Sequence, residues 1–418
     1  MSSILSTLIY NEMMKKMMIV ALMAAAASTA FAGDSDALKS ILKAKTYAEA
    51  LSLVNSSLNQ LANPAEKAKA YNKLVDLALD KISKEQGTIT SNQMAQQYGQ
   101  GKVEAYDTVG MYDAVLNAFK AAEECDKYDN MPNEKGKVKP VFHNKNIQRL
   151  IGYRTRLIDG GIYYQNTDMK KAFAQLAEYV DSHNSSLFAE EVAKTPDENY
   201  TNMAYYAARF AYQNHEYDLV PVYANIAGQD EKLASDATVL KLAALQQEIK
   251  TTEDSLNYVK RLETDYAANP SNELVLGTLL GMYASLNMND EMNSLIEKTL
   301  AADPSNYTAW AMKGQNAMFA EQWDEAISSL EKALEKQPES AVALSMLGAS
   351  LINKGAQAQE RAAGRNGMIP STAKDQIRPF YERARECLEK AQAADPQEQQ
   401  SKWKYALERC NYLLDSLK

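Results

Sequence analysis

The sequence predicts an all-α fold made of stacked antiparallel helix hairpins, and three observations support this. The 418 residues are rich in Ala, Leu, Glu, Lys and Gln, while Gly and Pro number only 17 and 11, as expected for helices. Pro270, Pro304 and Pro338 lie 34 residues apart, and each follows an amphipathic segment that a proline would terminate. Between them, small residues recur where the two helices of a hairpin approach each other closely.

The clearest repeat runs from Tyr307 to Ser340. Small residues at its positions 8 and 20 allow close helix contact, and large apolar residues at positions 4 and 24 are expected to fill the gap between the helices. The landmark residues in chain order are Trp310, Gly314, Ala326, Leu330, Ala333 and Pro338. This stretch resembles the tetratricopeptide repeat, a unit of 34 residues. The resemblance implies an α-solenoid of stacked hairpins whose first helices line a concave groove.

Residues 1–32 are interpreted as an N-terminal extension and a signal peptide. Lys15 and Lys16 precede a short apolar run, and Ala30 and Ala32 occupy the positions that a signal peptidase reads. Cleavage is predicted after Ala32, which makes the protein periplasmic or secreted. The apolar run is too short to cross a bilayer, and no membrane span is predicted.

Residues 33–146 are expected to form degenerate N-terminal helical hairpins with a loop. The polar stretch 83–104, which contains Gly87, Gly99 and Gly101, reads as a long loop or a frayed helix. The segment 130–146 reads as a linker that carries four lysines. These lysines either keep a loop soluble or form an anion site, and charge patterning favours the first interpretation.

Residues 153–272 are expected to form degenerate repeats of the same type. With Gly160 at position 8 and Leu176 at position 24, a repeat spans 153–186. Two further repeats, 201–234 and 239–272, follow. The first of them has a register uncertain by one residue, and the second depends mainly on the phase of Pro270.

Residues 273–396 are expected to form clear repeats, and 397–418 a C-terminal helix that caps the last open face. The final repeat contains an insertion, predicted as an extended hairpin about 353–376. Its two lengthened helices would be joined through Asn366 and Gly367, with Ser371 as the N-cap of the second helix.

Groove residues follow from the resemblance, which implies that positions 2, 5, 9 and 12 of each first helix face the concave surface. The residues so predicted to contact a partner are Arg154, Tyr164, Asn202, Tyr205, Arg209, Tyr212, Gln315 and Met318. The arginines and tyrosines suit an acidic or planar ligand held by forked hydrogen bonds and ring stacking. The alternative, that these tyrosines merely pack between repeats, stays open. A family-type carboxylate clamp is excluded because Ala311 and Met312 replace the residues it needs.

Catalytic and metal-binding patterns are not found in the sequence, and no cofactor is predicted. His143, His183 and His215 occupy unrelated positions, so they are expected to be solvated rather than to form a metal or catalytic cluster. A net charge of -9 argues against a nucleic-acid partner. Whether Cys387 and Cys410 pair is left open.

These observations predict a non-catalytic protein-protein interaction scaffold of the cell envelope, with a partner peptide or helix in the groove, and not an enzyme. An alternative is a carbohydrate-binding subunit of an outer-envelope uptake system, which a missing lipid-anchor cysteine and only three tryptophans make less attractive. An enzyme with a helical-repeat body would need a cluster of polar catalytic groups, which the sequence does not show; a deep pocket between residues 83 and 146 would support it. The identity of the partner and the oligomeric state are not predicted.

Overall fold

The computed structural model describes residues 34–99, 101–364 and 368–417, and all the regular structure in these ranges is helical. The predicted all-α fold is therefore confirmed. The predicted signal peptide and the Asn366–Gly367 junction lie outside the described residues. Of the helices in the described part of the chain, none combines the length and the apolar character that a membrane span requires.

The chain divides into two compact units, one ending at Leu233 and the other beginning at Ala234. The end of the predicted repeat 201–234 lies within one residue of this division. The helices of the first unit are α1 (Asp36–Lys43), α2 (Tyr47–Ser57), α3 (Pro64–Tyr98), α4 (Thr108–Asp129), α5 (His143–Leu150), α6 (Arg154–Tyr164), α7 (Met169–Asp181), α8 (Ala189–Val192), α9 (Tyr200–Gln213) and α10 (Val220–Ala227).

Helix α3 is longer than the sequence suggested, because the polar stretch 83–98 continues it as a helix. The chain leaves this helix at Gly99, whose φ of 63° is the left-handed conformation that glycine adopts readily. The following segment runs back along α3. There, the buried Asn92 side chain hydrogen-bonds both the backbone N–H and the carbonyl of Glu104, at 2.8 and 2.7 Å. These two hydrogen bonds hold the segment around Glu104 against α3.

The second unit consists of successive helix hairpins. First helices begin at Glu273, Tyr307 and Ala341, each 34 residues after the last, so the predicted period is confirmed. The helices are α11 (Ala234–Gln247), α12 (Thr252–Ala268), α13 (Glu273–Ser285), α14 (Asn289–Ala302), α15 (Tyr307–Phe319), α16 (Trp323–Lys336), α17 (Ala341–Ala362), α18 (Ser371–Ala394) and α19 (Trp403–Ser416).

Prolines mark the ends of the second helices in this unit. Helices α12, α14, α16 and α18 each stop two residues before a proline, namely Pro270, Pro304, Pro338 and Pro396. A proline restricts the residue before it to an extended conformation and cannot donate the next helical hydrogen bond. The phase of the prolines in the sequence therefore predicts the helix ends.

Close helix contact in the hairpins that begin at Tyr307 and Ala341 depends on glycine. A Cβ atom added at Gly314 would lie 2.7 Å from Cγ of Leu330, and one at Gly348 would lie 2.6 Å from Cγ of Leu388. The predicted close approach is confirmed at both places. Trp310 was expected to fill the gap beside Leu330, but it is only half-buried, and its Nε1 donates to the Pro304 carbonyl at 2.8 Å.

The predicted long hairpin is formed by α17 and α18, of 22 and 24 residues. The Tyr381 ring packs against Gly355, where a Cβ would approach it to 2.6 Å. The prediction that Ser371 caps α18 is wrong, because Ser371 is the first helical residue and Pro370 occupies the cap position. Helix α19 packs on the end of the hairpin and buries Trp403.

The cysteines are internal, and two of the three histidines are half-buried beside carboxylates. Cys125, Cys387 and Cys410 are all buried and free, so Cys387 and Cys410 do not form a disulfide. The prediction of solvated histidines is wrong for two of the three. Nδ1 of His143 lies 2.6 Å from the buried carboxylate of Asp126, and Nδ1 of His183 lies 3.2 Å from that of Asp197.

Candidate functional site

The first predicted groove helix, α6, has a register one residue away from the expected one. A Cβ atom on Gly161 would come within 2.4 Å of the Leu176 side chain, so Gly161, and not Gly160, sits at the close contact that defines position 8. A shift of one residue rotates every position by about 100° around a helix. The predicted groove positions therefore turn inward, and Ile162 and Tyr163 are exposed instead, by 57% and 44%.

Arg154, predicted to face the groove, is buried and fully engaged inside the first unit. Its guanidinium binds the carboxylate of Asp197 at 2.7 Å, the hydroxyl of Ser182 at 3.0 Å and the carbonyl of Tyr179 at 2.8 Å. It also lies 3.9 Å from the centre of the Tyr179 ring. Breaking such a buried pair is costly, so this arginine holds the fold together and is left out of the candidate surface.

Tyr164, also predicted to face the groove, is 3% exposed. Its hydroxyl donates to the Asp113 carboxylate at 2.9 Å, and Lys171 lies over its ring at 5.0 Å from the centre. It therefore packs between helices, which was the alternative interpretation of the tyrosines. The predicted residues on α9 and α15 are half-buried or exposed.

Helix α9 presents its predicted residues to solvent. Alanines line its inner side, with Ala204, Ala207, Ala208 and Ala211 all buried, and small side chains let the helix lie close to its neighbours. The outer side exposes Asn202 and Arg209, with Tyr205 and Tyr212 half-buried beside them.

Tyr206 is the residue of this surface that the repeat positions missed. It is 39% exposed, and its ring meets the ring of Tyr205 edge-on at 5.9 Å between centres. The Arg209 guanidinium lies 5.7 Å from the centre of the Tyr206 ring, within reach of a cation-π interaction. We call Asn202, Tyr205, Tyr206, Arg209 and Tyr212 the tyrosine-arginine face. The spacing of Tyr206 three residues before Arg209 is the signal that identifies it.

The charge of Arg209 distinguishes it from two other arginines of the first unit. Among the described residues Arg209 has no carboxylate partner, whereas Arg154 and Arg156 pair with Asp197 and Asp159. A planar guanidinium that rests near an aromatic ring keeps its N–H groups free for a carboxylate. The face can therefore accept a carboxylate while its tyrosine rings contact the adjoining apolar atoms.

Gln315 and Met318 lie on α15 in the second unit and are both half-buried. Met318 packs against the apolar cluster that contains Leu330 and Leu347. A role in partner binding for these two residues stays a prediction.

A pair of carboxyl groups lies in the interior of the first unit. Glu178 on α7 is 6% exposed, and one of its oxygens has no hydrogen-bond partner. Burial, reinforced by the nearby charge of Glu123 on α4, raises the pKa of Glu178 to about 8. Burial likewise raises the pKa of Glu123. In the described residues, no group of three or more His, Cys, Asp or Glu side chains is arranged to hold a metal ion.

The stacked hairpins define a helical-repeat fold of tetratricopeptide type. Comparison with known proteins gives distant likenesses. No protein-family profile and no curated protein matches the chain. Among solved structures, a tetratricopeptide-repeat protein from Bacteroides fragilis is 17% identical, with 62% of this chain and 98% of that one covered and a TM-score of 0.30.

Two structures of IFIT1 solved with the capped RNA m7Gppp-AAAA also match. A monomeric mutant is 13% identical, with 73% of this chain and 65% of that one covered and a TM-score of 0.38. The human dimer is 12% identical, with the same coverage and a TM-score of 0.36. At these values the likenesses carry no functional argument, and the fold assignment depends on the helices of the chain itself.

Proposed function

We propose that this protein is a non-catalytic scaffold that binds an acidic segment of a partner protein through the tyrosine-arginine face. The observation that carries the proposal is Arg209, an exposed cation without a carboxylate partner among the described residues, placed beside the Tyr206 ring. Arginine and tyrosine are the residue types that most often dominate binding energy at protein interfaces.

The overall charge of the chain supports an acidic partner segment at this particular place. With a net charge of -9, the chain as a whole repels an acidic peptide. A guanidinium that has no carboxylate partner among the described residues, and that lies beside tyrosine rings, supplies a local positive charge and favours one orientation of the peptide over others. The tyrosine rings supply contact area at a small cost in conformational entropy.

The test begins with crosslinking and capture of the partner from native cells, followed by mass spectrometry. The affinity of the identified partner is then measured for the wild type and for Arg209→Ala. Loss of a hot-spot arginine is expected to cost about 2 kcal/mol, or roughly a thirtyfold weaker affinity. Tyr205→Ala should weaken binding in the same direction.

Arg156→Ala is the matched control, because Arg156 is also partly exposed in the first unit but already pairs with Asp159 at 2.9 Å. Its affinity should stay within about twofold of the wild type, as expected for a surface pair of small energy. An unchanged affinity in Arg209→Ala, or an equal loss in Arg156→Ala, would show that the partner binds elsewhere.

The proposal includes a location outside the cytoplasm, in the periplasm or the medium. It rests on the signal-peptide pattern of residues 1–32. The intact mass of the protein recovered from its native cells should correspond to a chain that begins at Gly33. A mass that retains the apolar run would contradict cleavage after Ala32.

A further inference from the structure

A cleft of about 730 Å³ opens in the second unit between α14 and the next hairpin, α15 and α16. Its volume falls within the range of small-molecule sites, roughly 300 to 1,000 Å³. Buried apolar residues, Met292, Ile296 and Ala317, lie among the lining residues. The cleft is in a different unit from the tyrosine-arginine face, and so it is independent of the function proposed above.

The equivalent junction one repeat later lies between α16 and the hairpin of α17 and α18, and apolar side chains close it. There, Ile327, Leu347 and Leu351 are buried in a continuous apolar cluster. The residues 34 positions earlier are Asn293, Lys313 and Ala317, and all three line the cleft. At these three positions, the cleft carries polar or smaller side chains where the next junction has buried apolar ones.

Such a departure from the pattern of the repeat calls for a reason other than stability. Apolar residues at these positions would bury more surface and close the junction, as they do in the neighbouring one. A local sequence that gives up this packing is typical of a binding site.

Carboxamide groups supply most of the polar lining. The lining residues of this kind are Asn287, Asn289, Asn293, Asn316 and Gln322. Each carboxamide offers an acceptor oxygen and two donor hydrogens in one plane. Paired hydroxyl groups on a ring, which both donate and accept, match such a lining. Among the residues that the structure describes, the amide of Asn316 donates only to Sδ of Met292, at 3.5 Å, which is a weak acceptor.

The charges of the cleft disfavour an anionic ligand. Its one lining cation, Lys313, lies 3.5 Å from the Glu325 carboxylate and is neutralised by it. Glu297 adds a further negative charge to the lining. Phosphorylated or acidic ligands would therefore be repelled, while a carboxylate accepts hydrogen bonds from neutral hydroxyl groups.

An aromatic ring completes the lining. Phe319, the last residue of α15, lines the cleft and leaves 79% of its surface exposed. A large apolar ring in solvent has no role in the packing of the unit. It offers a flat surface against which a ligand with an apolar face can lie.

We propose that this cleft binds a neutral saccharide. A sugar ring combines the two features that the lining selects, hydroxyl groups around its edge for the carboxamides and an apolar C–H face for Phe319. Its lack of charge agrees with the paired lysine and the surplus carboxylate.

A glycan array that displays neutral, amino and acidic oligosaccharides tests the class of ligand. The best neutral oligosaccharide is then titrated calorimetrically against the wild type, Asn293→Ile and Phe319→Ala. Asn293→Ile installs the residue found at the equivalent position of the closed junction, so the protein should keep or raise its melting temperature while binding falls at least tenfold. Phe319→Ala should weaken binding about tenfold without affecting folding, because the ring is exposed.

Tyr412→Ala is the control, since Tyr412 is similarly exposed, at 73%, but lies on α19 away from the cleft lining. It should bind like the wild type, and so should Arg209→Ala. The proposal is overturned if no neutral saccharide binds, if acidic saccharides or a neutral peptide library bind more tightly, or if Asn293→Ile and Phe319→Ala both retain full affinity. Retained partner binding by Asn293→Ile separates this outcome from a failure of the scaffold proposal.

Discussion

Gly314 and Gly281 lie on consecutive first helices, but their surroundings differ. A Cβ at Gly314 would clash with Leu330 at 2.7 Å, whereas a Cβ at Gly281 would meet nothing within 4 Å. We expect Gly314→Ala to destabilise the second unit by about 1 to 3 kcal/mol through overpacking. Gly281→Ala should stabilise it by about 0.5 to 1 kcal/mol, because alanine loses less backbone entropy in a helix. Urea unfolding followed by tryptophan fluorescence measures both.

This pair of variants separates close contact from helix propensity. If both substitutions stabilised the protein, the hairpin would not need its glycine contact. The tetratricopeptide register of the second unit would then lose its physical basis.

Glu178 should make the first unit sensitive to pH. Because burial raises its pKa to about 8, the folded protein keeps this carboxyl protonated at pH values where the unfolded chain ionises it. Below about pH 4.5, the Glu178 carboxyl is protonated in both the folded and the unfolded state. As the pH rises from there to about 8, the unfolded chain loses this proton and the folded protein keeps it, so the free energy of unfolding falls. Glu178→Gln, which stays neutral, should flatten this dependence and raise the melting temperature at pH 8 by several degrees.

Glu190→Gln is a suitable control for that experiment, since Glu190 is exposed in the same unit. Its melting temperature should follow the wild type at every pH. A Glu178→Gln protein that loses stability at pH 8 would show that the carboxylate is ionised and satisfied in the folded state.

The register of helix α6 could not be predicted from the sequence. Gly160 and Gly161 are adjacent and equally small, so the repeat pattern cannot tell which of them meets Leu176. The wrong choice turned Arg154 and Tyr164 outward in the prediction, although the structure buries both. On α9, no adjacent pair of glycines competes for the register, and the predicted positions Asn202 and Arg209 are exposed.

Among the helices, α14 should be less protected than its counterpart α16. Helix α14 borders the cleft and buries three residues, Met292, Ile296 and Thr299, whereas α16 buries five. Fewer buried contacts lower the free energy needed for local opening. We expect the backbone amides of α14 to exchange with deuterium about tenfold faster than those of α16. Hydrogen exchange followed by mass spectrometry measures the two helices in one experiment.

Asn293→Ile provides the internal check, because it should fill part of the cleft and slow exchange in α14 alone. Equal protection of α14 and α16 in the wild type would contradict the loose packing that the cleft implies. Protection that changed equally in both helices of the variant would point to a global effect instead.

At the scale of helices, the sequence predicted most where a local rule decides. Proline phase located the ends of α14 and α16, and the long α17 and α18 were expected from the insertion. For the stretch 83–104, the sequence left a long loop and a frayed helix open, because its glycines and low hydrophobicity suggest a loop, and the structure continues the helix to Tyr98. Contacts far apart in sequence decide that case, since Glu85 on α3 accepts from the backbone N–H of Asp107 at 2.7 Å. The local sequence around Glu85 or Asp107 does not indicate such a contact.

For the whole molecule, the repeat pattern predicts what neighbouring hairpins share, and the candidate sites lie where they differ. The positions of Asn293 and Ile327 are equivalent in the repeat, yet one lines a cleft and the other is buried. A resemblance to a family averages over such differences. Comparison of equivalent positions within the chain recovers them, and this comparison needs only the sequence once the register is known.

The stability of the two compact units is expected to depend differently on pH. The buried carboxyls with raised pKa, Glu123 and Glu178, both belong to the first unit. In the second unit, hydrogen bonds from Thr251 and Ser305 hold the pKa of Asp254 and Asp303 below the usual range. A carboxyl with a lowered pKa contributes its stabilisation above about pH 4 and loses it only in more acidic solution. Between about pH 5 and 8, only the first unit should therefore lose stability.

The tryptophans make this difference measurable in the intact protein. Trp310, Trp323 and Trp403 all lie in the second unit, so tryptophan fluorescence follows that unit alone, while far-ultraviolet circular dichroism follows the helices of both. As the pH rises from about 5 to 8, the urea midpoint by fluorescence should stay constant, and the dichroism curve should gain an earlier transition. Glu178→Gln should remove that early transition, which assigns it to the buried carboxyl. Midpoints that moved together by both probes would mean that the units unfold as one and that the pH dependence does not originate in the first.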